Sequence, residues 1–133
     1  MKYGSFFTVL YNSSVENQIY KCYNNYIKII WGDVMVKHII LWKLKEEHNN
    51  DMVKQGIKDG LESLKGVIPG LIEIVVERKP LPSSNADVML YSVFDSQNSL
   101  KNYSVHPAHV NVANTFVRPY TAERVCMDFE EKA

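Results

Sequence analysis

The chain has 133 residues, of which 46% are hydrophobic and 23% charged, the profile of a soluble globular domain large enough to bury a core. Lys plus Arg equals Asp plus Glu at 15 each. The lysines are interleaved with acidic residues and form no basic stripe of the kind that binds nucleic acid, so we expect no nucleic-acid partner. No apolar run approaches the roughly 20 residues that would cross a bilayer, so we expect no membrane association.

Residues 1–34 differ in character from the rest and carry five of the eight tyrosines. The apolar run over 6–11 is short, and no small-residue cleavage site follows it, which argues against a signal peptide. The codons for residues 31–34 imply a purine-rich run just before Met35, as in a bacterial ribosome-binding site. We predict that 1–34 is a leader, through a misassigned start or disorder, and that the domain spans 35–133. A genuine additional helix or strand is the alternative.

The first elements of this domain are a strand and an amphipathic helix. Alternation over 36–44 places five residues on one strand face: Val36, His38, Ile40, Trp42 and Leu44. Asn49, Asn50 or Asp51 caps the helix. Its apolar stripe consists of Val53, Ile57, Leu61, Leu64 and Ile68. Gly56 and Gly60 weaken this helix, and we interpret them as allowing close approach to the sheet.

The second half supplies the remaining elements. A Pro69-Gly70 turn leads to a strand over 71–78, a polar loop over 80–85 and a strand over 87–94. A helix capped by Asp95 or Ser96 then reaches Tyr103. A second helix lies between Pro107 and Pro119, and a strand over 122–129 follows it. The order β-α-β-β-α-β, with the second helix split, predicts an α+β ferredoxin-like fold with a four-stranded antiparallel sheet.

Helices cover only one face of such a sheet, yet the strands over 71–78 and 87–94 are apolar on both faces. In the first of them, we expect Ile72, Ile74 and Val76 to oppose Leu71 and Val75. An uncovered apolar face would exceed what soluble monomers expose. The simplest solution is a homodimer packed sheet to sheet, a dimeric α/β barrel with a hollow interior. A ligand or the leader is the alternative cover.

The segment from Tyr103 to Phe116 carries the strongest chemical signal. From His109, positions three, four and seven residues on are Val112, Ala113 and Phe116, so His109 lies on an inward-facing stripe. A buried imidazole must be hydrogen-bonded or functional, because an unpaired one costs about 1–3 kcal/mol. His106, which precedes Pro107, is expected to close the turn through its side chain.

The segments 36–41, Ile68-Pro69-Gly70 and His106-Pro107-Ala108-His109 resemble, in that order, the stress-responsive A/B barrel (Dabb) family. This resemblance covers residues 35–130 and implies a dimeric α+β barrel. A plant polyketide cyclase of the family uses a tyrosine and a histidine whose counterparts are Tyr103 and His109, with a further cavity histidine at His38. Most members have no known activity.

The resemblance and the residue chemistry together predict a site for a small apolar or aromatic metabolite. We predict His109 as general base and Tyr103 as hydrogen-bond donor, in cyclase- or lyase-type chemistry. The predicted ligand-binding residues are His38, Trp42, Tyr91 and Phe116. Four of these residues have a structural alternative: His109 bonded within the core, His38 bonded across the dimer, Tyr103 with its ring buried and its hydroxyl at the rim, and Trp42 in the core.

Whether the protein is an enzyme stays open, and a non-catalytic binding, stress-response or structural role is the alternative. We expect no cofactor. The two cysteines, Cys22 and Cys126, share no zinc-like spacing, so we expect no metal and a cytoplasmic location.

Overall fold

A computed structural model of the protein describes Cys22 and residues 34–132. The predicted leader, residues 1–34, lies outside that range apart from Cys22 and Val34. The elements are β1 (Val34–Leu44), a 3-10 turn (Glu46–His48), α1 (Asp51–Glu62), β2 (Leu71–Glu77), β3 (Val88–Phe94), α2 (Gln97–Val105), α3 (Pro107–Val112), a π-helical turn (Ala113–Val117) and β4 (Thr121–Lys132). No helix within this part of the chain is long and apolar enough to span a membrane.

The four strands form one sheet in the order β2-β3-β1-β4. β3 runs antiparallel to both β1 and β2, with Val36 opposite Phe94 and Trp42 opposite Val88. On β1 the buried residues alternate as predicted: Val36, His38, Ile40, Trp42 and Leu44. These side chains pack with buried residues of α1, α2 and α3, so the helices cover one face, which we call the covered face. The predicted ferredoxin-like α+β fold with a split second helix is confirmed.

One detail of β2 differs from the prediction. The buried residues are Leu71, Ile74 and Val76, whereas Ile72 is 43% exposed. The pairing of β2 with β3 shifts between Leu71 and Glu73, which is a β-bulge. A bulge adds one residue to a strand and so reverses the alternation on one side of it. The expected alignment of Ile72 with Ile74 and Val76 was therefore wrong.

Side-chain caps fix where the helices begin. Asn50 accepts a hydrogen bond from the Val53 amide at 2.9 Å, and Ser96 accepts one from the Ser99 amide at 3.0 Å. Each cap satisfies a backbone donor that has no partner inside the helix. The apolar stripe of α1 continues past its end, because Leu64 and Ile68 are buried although they lie in the following turns.

The two glycines of α1 face the last helical segment and not the sheet, which corrects the expectation. A Cβ atom built on Gly60 would lie 3.0 Å from the Phe116 ring and 3.1 Å from Val112. At Gly56 the nearest atom is also in the Phe116 ring, at an ordinary 3.5 Å. Gly60 therefore allows α1 and the segment after Pro107 to approach each other closely.

Alanine substitutions at these glycines should have different effects. Gly56→Ala gains helix propensity without a clash and should raise the free energy of unfolding by up to about 1 kcal/mol. Gly60→Ala gains the same propensity but crowds Phe116 and Val112, and overpacking costs about 1–3 kcal/mol. We expect Gly60→Ala to be the less stable variant in urea denaturation. Equal stabilisation of both variants would contradict the packing described here.

Candidate acid–base and ligand-binding site

The junction between α2 and α3 determines how close Tyr103 lies to His109. The backbone amide of His106 donates a hydrogen bond to the Tyr103 carbonyl, and α2 ends at this point. The His106 side chain then accepts a hydrogen bond from the Ala108 amide at 3.1 Å through Nδ1, and Pro107 occupies the first turn of α3. The predicted turn-closing role of His106 is confirmed. The resulting bend places Tyr103 and His109 side by side.

Four rings, of His38, Phe94, Tyr103 and His109, form what we call the aromatic cluster. The Tyr103 ring is central, with its centroid 4.2 Å from His109, 4.9 Å from Phe94 and 6.2 Å from His38. The contacts of Tyr103 with Phe94 and His38 are edge-to-face, a favourable arrangement of aromatic quadrupoles. The structure therefore brings together the three predicted residues His38, Tyr103 and His109.

The Tyr103 hydroxyl is a polar group in the interior of the domain. The residue is 1% exposed, and its hydroxyl has no hydrogen-bond partner among the described residues. An unsatisfied buried hydroxyl costs about 1–3 kcal/mol. Burial also raises the pKa of Tyr103 above its ordinary value, so the hydroxyl keeps its proton. It is a hydrogen-bond donor without an acceptor in the part of the chain that the structure describes.

His109 is half-buried, and its tautomer follows from its partner. Its Nδ1 lies 3.3 Å from the carbonyl oxygen of Ser104. A carbonyl only accepts, so Nδ1 carries the hydrogen and Nε2 of the neutral ring has the free lone pair. Burial lowers the pKa of His109, and the bond to Ser104 opposes only part of that shift. At neutral pH the ring is therefore uncharged, with Nε2 able to accept a proton.

A groove of about 840 Å³ runs beside the aromatic cluster, between α2 and the β1–β4 edge of the sheet. Its lining side chains are Val36, His38, Gln97, Leu100, Lys101, Ser104, Arg124, Cys126, Asp128, Phe129 and Glu130. His38 is the residue shared by the groove and the aromatic cluster. Tyr103 and His109 are not part of the groove wall, so they stand behind His38.

The other predicted ligand-binding residues lie elsewhere. Trp42 is on the covered face but four residues along β1 from His38, which is about 13 Å in an extended strand. Tyr91 is on the opposite face, where its hydroxyl accepts a hydrogen bond from Lys37 at 2.9 Å. Phe116 packs on Gly60 and is 38% exposed. The fold does not gather these three around one groove, because strand alternation and the helix bend separate them.

The His38 side chain also lies on a different face of the sheet from the one predicted. Its side chain lies on the covered face and not on the face available to a second subunit, so it cannot bond across a sheet-to-sheet dimer. The Asp128 carboxylate contacts its Nδ1 atom. Ser92 on β3 donates to the His38 carbonyl at 3.1 Å and fixes the strand beneath it.

Of the predicted site residues only His38 lines the groove, and Cys126 and Asp128 are among the groove residues that sequence reasoning missed. Both lie on β4, and the Cys126 sulfur is 3.5 Å from the Asp128 carboxylate and 3.7 Å from Nδ1 of His38. Burial, followed by the charge of Asp128, raises the pKa of the Cys126 thiol. Alternation along β4 places Cys126 and Asp128 on one face, but His38 on β1 is about 90 residues away in sequence. Only the pairing of β1 with β4 joins them to His38.

The opposite, outer face of the sheet carries exposed apolar side chains. Val125 and Met127 of β4 are each 65% exposed, and Leu41 of β1 is 40% exposed. Leu41 and Val125 line the same shallow depression. Clustered exposed apolar side chains of this kind mark interaction surfaces in soluble proteins.

Comparisons with known proteins agree with this architecture. The model of the stress-responsive A/B barrel domain (Dabb) matches residues 36–131. A dimeric protein of unknown function with a ferredoxin-like fold from Bacteroides fragilis is 32% identical, with a TM-score of 0.67 over 73% of this chain and 96% of that one. No curated protein matches.

Two further solved structures share the fold at lower identity. One is a Dabb family protein with a ferredoxin-like fold from Mesorhizobium loti, 20% identical, with a TM-score of 0.59 over 72% of this chain and 95% of that one. The other is a hydroxynitrile lyase from Passiflora edulis, 17% identical, with a TM-score of 0.63 over 74% of this chain and 94% of that one.

Proposed function

Since this chain belongs to the stress-responsive A/B barrel (Dabb) domain family, we propose that it binds a small apolar or aromatic metabolite that carries a carbonyl oxygen. The ligand enters by the groove that His38 lines and reaches the aromatic cluster behind it. The observation that carries this proposal is the buried Tyr103 hydroxyl, a proton donor with no acceptor among the described residues. A carbonyl or enolate oxygen supplies that acceptor.

The proposed chemistry is proton removal from a carbon next to the carbonyl. Nε2 of His109 accepts the proton, and the Tyr103 hydroxyl donates a hydrogen bond to the oxygen as negative charge develops there. The lowered pKa of His109 and the raised pKa of Tyr103 support these roles, because each group is then in the required protonation state at neutral pH. This step occurs in cyclases, lyases and isomerases that act next to a carbonyl group.

We also propose that the protein is a homodimer that uses the outer face of its sheet. The exposed Leu41, Val125 and Met127 support this assembly. The 32% identical relative from Bacteroides fragilis is a dimeric protein. The same apolar face favours the second candidate function, a structural or stress-response protein that acts through its assembly without catalysis.

Deuterium exchange tests the proton-transfer step whatever the overall reaction is. We expect the protein to catalyse exchange at the carbon next to the carbonyl in some members of a panel of β-keto and phenolic ketone compounds, followed by NMR. General acid–base groups contribute about 100- to 10,000-fold. His109→Gln should therefore lower the exchange rate at least about 100-fold. The wild-type rate should fall only below the ordinary histidine pKa, because the pKa of His109 is lowered.

The chain offers a matched control in a second His–Tyr pair. The rings of His48 and Tyr120 are 5.0 Å apart at the end of β1 and contribute no residue to the groove. His48→Gln should leave exchange unchanged. Exchange that His109→Gln leaves intact would refute His109 as the base. Specific binding without exchange in any compound would identify a binding protein instead of an enzyme.

A further inference from the structure

We propose that His38, Cys126 and Asp128 form a binding site for a divalent transition metal ion, with Zn²⁺ as the best fit. Nδ1 of His38, Sγ of Cys126 and a carboxylate oxygen of Asp128 all lie within 4.8 Å of one another. This site is separate from the proton-transfer proposal, because neither Tyr103 nor His109 contributes a ligand to it.

Two of the three separations between the donor atoms are close to those around a tetrahedral zinc ion. Zinc–sulfur bonds of about 2.3 Å and zinc–nitrogen or zinc–oxygen bonds of about 2.1 Å place the sulfur about 3.6 Å from each of the other donors. The Cys126 sulfur is 3.7 Å from His38 Nδ1 and 3.5 Å from the Asp128 carboxylate. The contact between His38 and Asp128 must open by a small side-chain movement to admit the ion.

The three ligands are held by the sheet and not by a loop. His38 is buried on β1, and Cys126 and Asp128 stand two residues apart on β4, so both project on the same side of one strand. Strand-mounted ligands keep their spacing, which favours a preformed site. The donor set of imidazole, thiolate and carboxylate suits zinc and related first-row ions better than magnesium or calcium.

Three protein ligands leave a fourth tetrahedral position for water or for an oxygen of a bound molecule. All three side chains line the groove, so this position is accessible from it. Lys101 and Arg124 line the same groove, and together they outweigh the charge of Glu130, the one acidic lining residue that is not a proposed ligand. The site would therefore take an oxygen-bearing anion, such as a carboxylate or an enolate, as its exchangeable ligand.

Metal binding requires two proton changes. The Cys126 thiol loses its proton to solvent and binds as the thiolate. His38 must present an unprotonated Nδ1, so any hydrogen on that atom leaves or moves to Nε2. Binding therefore releases protons and weakens as the pH falls.

Cobalt spectroscopy with the full-length chain tests the site directly. Protein stripped with a chelator under a thiol-free reductant is titrated with Co²⁺ and then with Zn²⁺. We expect one ion per chain and a thiolate-to-cobalt charge-transfer band that Zn²⁺ displaces. Cys126→Ser should abolish the band, and Asp128→Asn should weaken binding at least about 10-fold.

The other cysteine supplies the control. Cys22 is exposed and is not one of the three proposed ligands, so Cys22→Ser should retain both the band and the stoichiometry. Binding well below one ion per chain in the wild type would overturn the proposal. So would binding that Cys126→Ser leaves undiminished, since that identifies adventitious ligands elsewhere. Neither result bears on exchange by His109, which is measured in the metal-free protein.

Discussion

Replacing Val125 and Met127 together with glutamate is expected to convert the protein from dimer to monomer in sedimentation velocity at micromolar concentration. Both side chains are 65% exposed on the outer face, so the monomer loses little packing when they change. In a sheet-to-sheet dimer each glutamate would instead be buried against apolar side chains, and the two-fold axis doubles the number of buried charges. Burying an unpaired carboxylate costs several kcal/mol, more than a modest interface can offset.

A methionine and a valine on another surface provide the control for this double substitution. Met52 on α1 and Val67 in the turn after it are 81% and 54% exposed. Met52→Glu with Val67→Glu adds equal charge and should leave the dimer intact. Circular dichroism must show that both double variants keep their secondary structure. A wild-type protein that sediments as a monomer, or a dimer that survives the β4 substitutions, would exclude the outer face as the interface.

Tyr103→Phe is expected to stabilise the ligand-free protein and to weaken ligand binding at the same time. Removing a buried hydroxyl that has no partner within residues 34–132 removes a penalty of about 1–3 kcal/mol and leaves the ring packing in place. We therefore expect the free energy of unfolding in urea to rise by about 1 kcal/mol. Affinity for a carbonyl ligand from the exchange screen should fall about 10-fold, because the ligand oxygen loses its donor.

Tyr91→Phe is the matched substitution on the opposite face of the sheet. The Tyr91 hydroxyl accepts a hydrogen bond from Lys37 at 2.9 Å, so its removal should destabilise the protein by about 0.5–1.5 kcal/mol. Ligand affinity should not change. If Tyr103→Phe also destabilises the protein, its hydroxyl has a partner in solution, such as a buried water molecule, and it is not held ready for a ligand.

Much of the local structure could be predicted from the sequence. Alternation along β1 identified the covered face, the Asn50 and Ser96 caps are among those predicted, and the side-chain role of His106 follows from its position before Pro107. These features depend on neighbours within a few residues, where periodicity and capping chemistry are directly visible. Two errors, at β2 and at Gly60, arose where a bulge or a distant element decided the outcome.

For the candidate site too, local features could be predicted and long-range contacts could not. That Tyr103 and His109 flank a His-Pro turn follows from the order of residues, because bend and spacing are local properties of that segment. The assembled sheet was needed to place Tyr91 on the far side from His38 and to bring Cys126 and Asp128 to His38. Strand order joins residues about 90 positions apart, and no short-range pattern encodes which edge of β1 the last strand will pair with.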